Sequence, residues 1–507
     1  MRLLKKPSFD GSISDRYHAR CRFDCQNPIS KRAMFSIHGK TLRFCDGLPR
    51  REFIRVGGLG ALGLSLPALL RARIAQAEPA QASTADTFGR AKHCILMHLF
   101  GAAPHQDTFD MKPEAPVEVR GEFMPIPTNV SGISVSDHLP LLSQQADKYT
   151  IVRSVNHKET DHQAAFHDMM TASRYQWLDK RNAAKPTDNP NIGAVLAMMK
   201  PRNNGLPEYV QLPSLLQTNS GKIVPGQNAG FLGKAYDPFL VKAVDNYAPV
   251  HDPGYSGFTP PAFRESGGIT VGRIDERRRL LDQVEQRFRD ADRGRELNTF
   301  DSYYQQAFSL VSSQRARQAF HLAAEKPETR ERYGFTPFGQ SVLLARRLVE
   351  AGVPLVNVYW RNGRRRSDIG WDNHINNFAN LKNWQLPPTD QAVAALLDEL
   401  AERGLLDDTL VVLMGEFGRT PGISSEGGRQ HWPYCYSVVM AGGGIRGGEV
   451  FGSSDKRAAY PATCPVSPFD VGATIFHLLG IDVKTELNDF LGRPHLVCKG
   501  TPIAELV

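Results

Sequence analysis

The sequence predicts an α/β protein built around a mainly parallel sheet. Two patterns carry that expectation. Apolar runs of strand length alternate with longer amphipathic stretches of helical period, as βαβ units do. Residues able to do chemistry also gather just past the carboxyl ends of those runs, where open α/β sheets place their ligands.

The first run is HCILMHLF (93–100), followed by the loop GAAPHQDTFDMKP. HLPLLSQQADKY (138–149) reads as a helix and TIVRS (150–154) as the second strand. Residues 176–265 are rich in Pro, Gly and Asn, and predict long loops with short elements. Charged amphipathic helices are expected over 273–293 and 299–325, their charges coating a solvated face. Clear alternation then returns. PFGQSVLLARRLVEAG (337–352) is a helix stopped by Gly352, VPLVNVYW (353–360) a strand, and PTDQAVAALLDELAERG (388–404) a helix ending on Gly404. TLVVLM (409–414) and YSVVMAGG (436–443) are strands, and SPFDVGATIFHLLG (467–480) a helix.

The net charge of +8 belongs to the start of the chain. Residues 1–77 hold 15 of the 61 Lys and Arg but 5 of the 53 Asp and Glu, so the remaining 430 residues balance at −2. That body gives no electrostatic ground for nucleic-acid binding. The basic leader contains Arg50-Arg51, a Gly/Leu-rich apolar stretch (57–70) and Ala75-Gln76-Ala77, a small-x-small cleavage pattern. It resembles a twin-arginine (Tat) export signal, which implies passage through the Tat translocase and a periplasmic destination. Residues 1–33 lie upstream of an ordinary signal and read as an extension, with Met34 an alternative start; 78–90 read as a linker and 91–507 as one domain with an insertion at about 176–330. No segment beyond the leader is long and apolar enough to span a membrane. Cys94, Cys435, Cys464 and Cys498 remain after cleavage, with no CxxC pattern for a thiolate zinc site. Isolated thiols are expected, with a Cys435–Cys464 disulfide the alternative.

Candidate chemistry lies at four strand ends. His105, Asp107 and Asp110 follow the first, and His157, Asp161, His162 and His167 the second. Asp372 and His374, in GWDNHINNF, follow the strand at 353–360; Glu416, Arg419 and His431 follow that at 409–414. Carboxylates mixed with imidazoles suit Zn, Mn or Fe, and two divalent ions about 4 Å apart would clamp both oxygens in hydrolysis of a phosphate-type ester. Each group also has an ordinary reading. Asp107 and Asp110 suit turns or helix caps, Asp372 with His374 a structural hydrogen-bonded pair, and Glu416 with Arg419 a salt bridge. The five-residue spacing of His157, His162 and His167 is not one helical face, so at most one or two of them converge.

The chain is identified as a member of the DUF1501 proteins. The marks are HGKTLRFCDGLPRREFIRVGG (38–58), HLFGAAPHQDTFDMKPEAPVEVRGEF (98–123), HLPLLSQQADKYTIVRSVNH (138–157), PEYVQLP (207–213), PGQNAGFLG (225–233), GWDNH (370–374) and GEFGRTP (415–421). DDTLVVLMGEFGR and SPFDVGATIFHLLGI resemble the metal-motif strand and the following helix of the alkaline phosphatase/sulfatase superfamily. That resemblance implies a three-layer α/β/α sandwich of the alkaline phosphatase type with long loop and helical insertions. It also implies one or two divalent ions (Zn, Mn, Ca or Mg) and hydrolysis of sulfate or phosphate esters on a small molecule or glycan. Asp107 then resembles the acidic ligand after the first strand, Asp372 and His374 the mid-chain ligand pair, Glu416 the metal-binding acid and His431 the last His ligand. Phe417 stands where the superfamily has a His or Asn ligand, and the Cys/Ser-x-Pro-x-Arg nucleophile motif is absent. In its place, ETDHQAAF (159–166) offers Thr160 as a nucleophile and His162 as a nucleophile or base. Arg419 is expected to stabilise anionic charge or to pair with Glu416. A non-catalytic scaffold on the same fold, with partners in a periplasmic polysaccharide complex, is the alternative.

Overall fold

The computed structural model describes residues 87–176, 183–202, 204–218, 220–242, 313–360 and 370–507, together with Phe258, Glu276 and Arg279. All of them belong to one unit, Ala82–Val507. The expected leader, most of the linker, the helix expected at 273–293 apart from Glu276 and Arg279, and residues 299–312 lie outside the described residues.

Eight strands form the main sheet: β1 (His93–His98), β2 (Tyr149–Val155), β3 (Tyr209–Leu212), β4 (Phe239–Leu240), β5 (Leu355–Tyr359), β6 (Thr409–Met414), β7 (Tyr436–Ala441) and β8 (Glu449–Phe451). Their order is β8-β2-β7-β6-β1-β5-β3-β4. Only β7 runs against its neighbours, pairing antiparallel with both β2 and β6. The other seven point one way, so β1, β2, β5 and β6 deliver their carboxyl ends to one rim.

Strand residues alternate between two apolar clusters. Ile95, Met97, Val411 and Leu413 join one; Cys94, Leu96, Leu410 and Val412 join the other. A strand buried on both faces reads as a continuous apolar run, which is why TLVVLM is legible as a central parallel strand. Helices α3 (Gln314–Phe320), α4 (Pro327–Tyr333), α5 (Pro337–Ala351) and α6 (Leu386–Glu402) cover the first face. Helices α1 (His162–Thr171), α2 (Ile192–Met199) and α7 (Pro468–Leu478) cover the second. The result is the three-layer α/β/α sandwich.

Departures from the sequence reading have local causes. The helix expected at 138–149 is two separate turns, Pro140–Ser143 and Ala146–Lys148, with β2 beginning at Tyr149. Leu139, Leu142, Ala146 and Tyr149 bury at helix-like spacing, but the Asp390 carboxylate accepts the Leu141 and Leu142 amides at 2.9 and 2.7 Å, and Tyr149 pairs with Ala441 instead. The loop-rich stretch at 176–265 supplies α2, β3 and β4, elements too short to stand out by periodicity. The helix expected at 299–325 continues only as α3 and a 3-10 turn, Leu322–Ala324, within the described residues. The four described cysteines are free thiols, not a Cys435–Cys464 disulfide. Among the described residues no helix is long and apolar enough to cross a membrane.

Candidate metal centre

Four side chains meet beyond the shared rim: His162, Asp372, His374 and His431, with donor atoms all within 4.8 Å of one another. Local structure brings each one there. Asp161 caps α1 by accepting the Gln163 and Ala164 amides, which fixes His162 as the first helical residue, after β2. After β5 the chain returns at Gly370, whose φ of +64° and approach to the Phe100 carbonyl leave no room for a Cβ, only 2.4 Å from that oxygen. After β6, Arg419 pairs with His431 in a two-residue antiparallel ribbon. Amides of Asn376, Asn377 and Arg429 then zip the 424–431 loop onto the 373–377 loop.

The three imidazoles are oriented alike. Nδ1 of His162 lies 2.5 Å from Glu416 Oε1, Nδ1 of His374 2.5 Å from Gln430 Oε1, and Nδ1 of His431 2.8 Å from the Thr160 carbonyl. Each partner is an oxygen that only accepts, so each Nδ1 carries a proton and donates. The Nε2 atoms therefore face inward, at 3.2 Å (His162), 2.9 Å (His374) and 3.3 Å (His431) from Asp372 Oδ1. The Nε2 atoms of His374 and His431 are 3.0 Å apart, and that of His162 is buried without a hydrogen-bond partner. Nitrogens this close to one carboxylate oxygen need positive charge between them, as a proton on His162 or as a metal ion. This donor set fits a metal ion: a mixed nitrogen and oxygen cage whose histidines are each anchored from behind by an oxygen.

The electrostatics favour positive charge at the same point. Burial opposes charging of His162, but its contacts with Asp372 and Glu416 outweigh that and raise its pKa to about 9. Asp372 is held well below the usual carboxylate range: burial acts against this, and His162, His431 and Arg419 overcome it. Glu416 is lowered in the same way, against burial, by His162 and His98 and by the Gly101 amide at 2.8 Å.

The remaining sequence candidates fall around this cluster. Glu416 stands behind His162 and is not one of the converging donors. Arg419 is fully buried and pairs with Asp372 at 2.5 Å, not with Glu416. Its other bonds go to the carbonyls of Ala102, Gly101 and Arg429, so no guanidinium nitrogen is free to meet a substrate. Thr160 is exposed and meets the cluster through its carbonyl. Asp107 is not brought to the cluster. Both of its oxygens are taken by fully buried Arg429, at 2.7 and 2.8 Å, with Asn377 adding a third bond at 2.8 Å. Asp110 is likewise occupied, by Lys112 and Ser454. His157 hydrogen-bonds the Glu416 carbonyl, and His167 lies buried further along α1.

The family model described as "Protein of unknown function (DUF1501)" matches residues 91–507. The chain belongs to the DUF1501 family. No curated protein matches this DUF1501 chain. Among solved structures it is similar to a sulfatase from Pseudoalteromonas sp., at 12% identity over 80% of this chain and 72% of that one, with a TM-score of 0.35. It is similar also to a protein in the alkaline phosphatase superfamily from Vibrio parahaemolyticus, at 11% identity over 78% and 68%, with a TM-score of 0.34.

Three features of this DUF1501 centre escaped sequence reasoning. Phe417, expected only as a missing ligand, packs against His162 and His431 in tilted geometry, with ring centroids 4.7 and 4.8 Å away. Gln430 anchors His374; its place directly before His431 was the available signal. His98, the last residue of β1, is fully buried 3.9 Å from Glu416, and burial lowers its pKa to about 4. Gly428 shows how little slack the loop has, because a Cβ there would sit 1.7 Å from the His374 carbonyl oxygen. Gly428→Ala is expected to push the His374 backbone away and weaken metal binding at least tenfold by competition with a chromogenic chelator, with the fold retained by circular dichroism.

Proposed function

We propose that this protein is an exported, metal-dependent hydrolase of sulfate or phosphate esters, holding one transition-metal ion in His162, Asp372, His374 and His431. One observation carries the reading: three imidazoles, each anchored at Nδ1, turn Nε2 toward the same carboxylate oxygen. Imidazole-rich donor sets favour Zn, Mn or Fe over Mg and Ca, which take oxygen ligands. A bound ion of this kind supplies Lewis-acid polarisation of an ester oxygen and offsets the anionic charge of the substrate.

The chain's own residues do the positioning. Glu416 keeps the proton of His162 on Nδ1, and Thr160 and Gln430 do the same for His431 and His374. Arg419 fixes Asp372 and the Gly101–Ala102 turn together. The His374 side chain is 40% exposed, which leaves that side of the cluster open to solvent. We assign the attack to the exposed Thr160, whose carbonyl lies on His431.

A second reading has its own support. With Arg419 fully engaged and Phe417 covering two of the ligands, the centre also suits a binding protein that keeps the cage without turnover. A panel of aryl sulfates and aryl phosphates, assayed with Zn, Mn, Fe, Ca and Mg, separates the two. Turnover that disappears in Asp372→Ala supports the hydrolase. A metal-loaded wild type that turns over nothing in the panel supports the binding protein.

A further inference from the structure

A second built cavity lies away from the metal centre. The hairpin of Glu486–Asn488 and Pro494–Leu496 overhangs the loops after α1, enclosing a cleft of about 280 Å³ that none of the four metal-centre donors lines. The hairpin tip is stiff. Asp489 accepts the Leu491 and Arg493 amides at 2.9 Å, Arg493 Nε at 2.7 Å and His495 Nε2 at 3.1 Å. The His495 ring stacks on Phe231, with centroids 4.8 Å apart and planes 28° from parallel. That framework leaves Phe490 61% exposed at the cleft, while Arg493 has only its Nε hydrogen-bonded to a carboxylate. Tyr175 adds another ring to the lining, Asn189 adds an amide held only by a long 3.4 Å bond from its Nδ2 to the Arg174 carbonyl, and Asp188 is buried and accepts the Lys185 amide.

This lining selects its ligand by chemistry. A wholly apolar ligand would strip water from Arg493 and the edge of Asn189 without replacing their hydrogen bonds. A small inorganic anion would leave the aromatic surfaces unused. A sugar ring offers both halves: an apolar C–H face for an aromatic ring, and hydroxyls at its edge for amide and guanidinium donors. The volume sits near the lower end of small-molecule sites, roughly 300 Å³, which suits one ring system. We propose that the cleft is a saccharide-binding subsite taking one neutral pyranose unit, stacked on Phe490 and held at its hydroxyl edge by Asn189 and Arg493.

The subsite stands independently of the metal-centre reading. His162 begins α1, and His167, five residues on and turned to a different face of the helix, lines the cleft. The test is binding of the full chain to a printed array of neutral and sulfated oligosaccharides, followed by calorimetry with the best binder and with ADP. Phe490→Ala and Arg493→Ala change exposed side chains at the hairpin tip and are expected to weaken saccharide binding about tenfold each, while Asp372→Ala leaves it unchanged. No saccharide bound, binding undiminished in Phe490→Ala, binding lost in Asp372→Ala, or ADP preferred over every saccharide would each overturn the proposal. Failure of aryl ester turnover alongside intact, Phe490-dependent saccharide binding would overturn the hydrolase reading and leave this one standing.

Discussion

Asp107→Ala is expected to lose about 3–5 kcal/mol of folding stability, read as a lower urea midpoint at unchanged slope, while the folded protein keeps its metal. Asp107 and Arg429 are both fully buried and joined by two parallel bonds of 2.7 and 2.8 Å. Arg429 also donates to the carbonyls of Thr420, Pro421 and Val119, tying the loop after β6 to the helical turn Val117–Arg120. Those carbonyls satisfy hydrogen bonds but carry no full charge, so deleting the carboxylate leaves a buried cation without a counter-ion. Against a typical total of about 5–15 kcal/mol, the loss is a large share of what holds the domain folded. The opposite pattern, metal lost with stability intact, would show that Asp107 is a ligand after all.

Glu416→Gln is expected to weaken metal binding by about 10–100-fold without abolishing it. Glu416 is fully buried, and its Oε1 accepts from both His162 Nδ1 and the Gly101 amide. The amide variant preserves shape but removes the charge that makes the His162 ring a strong donor. It also has an N–H group that can face His162 and favour the wrong tautomer. Calorimetric titration of the metal-free protein with Zn²⁺ measures the change directly. An unchanged affinity would deny Glu416 any part in holding His162; complete loss would make it a ligand in its own right.

How far the sequence exposed this arrangement depended on the range of the forces involved. Central strands such as TLVVLM were legible because burial on both faces leaves a continuous apolar run, and α5 and α6 because their helical period is long and ends on Gly352 and Gly404. The position of candidates at strand ends was legible from the same alternation, and the four side chains that meet, His162, Asp372, His374 and His431, come from those strand ends. What stayed hidden was pairing across the chain. Nothing near Asp107 in sequence announces that Arg429, 322 residues away, will take both of its oxygens. A carboxylate that binds metal and one that neutralises a buried arginine look identical in a loop, and so do Glu416 as a ligand and Glu416 behind a ligand. The short strands β3 and β4 escaped because elements of four and two residues hold too few periods to read.

The most direct test of the metal centre is elemental analysis of the purified chain after expression and export in metal-replete medium, beside Asp372→Ala and His374→Ala. One equivalent of a transition metal is expected in the wild type, with Zn, Mn or Fe ahead of Ca and Mg, and less than a tenth of that in either variant. A correctly folded wild type free of stoichiometric metal, or variants that retain it in full, would contradict the centre and the chemistry proposed for it.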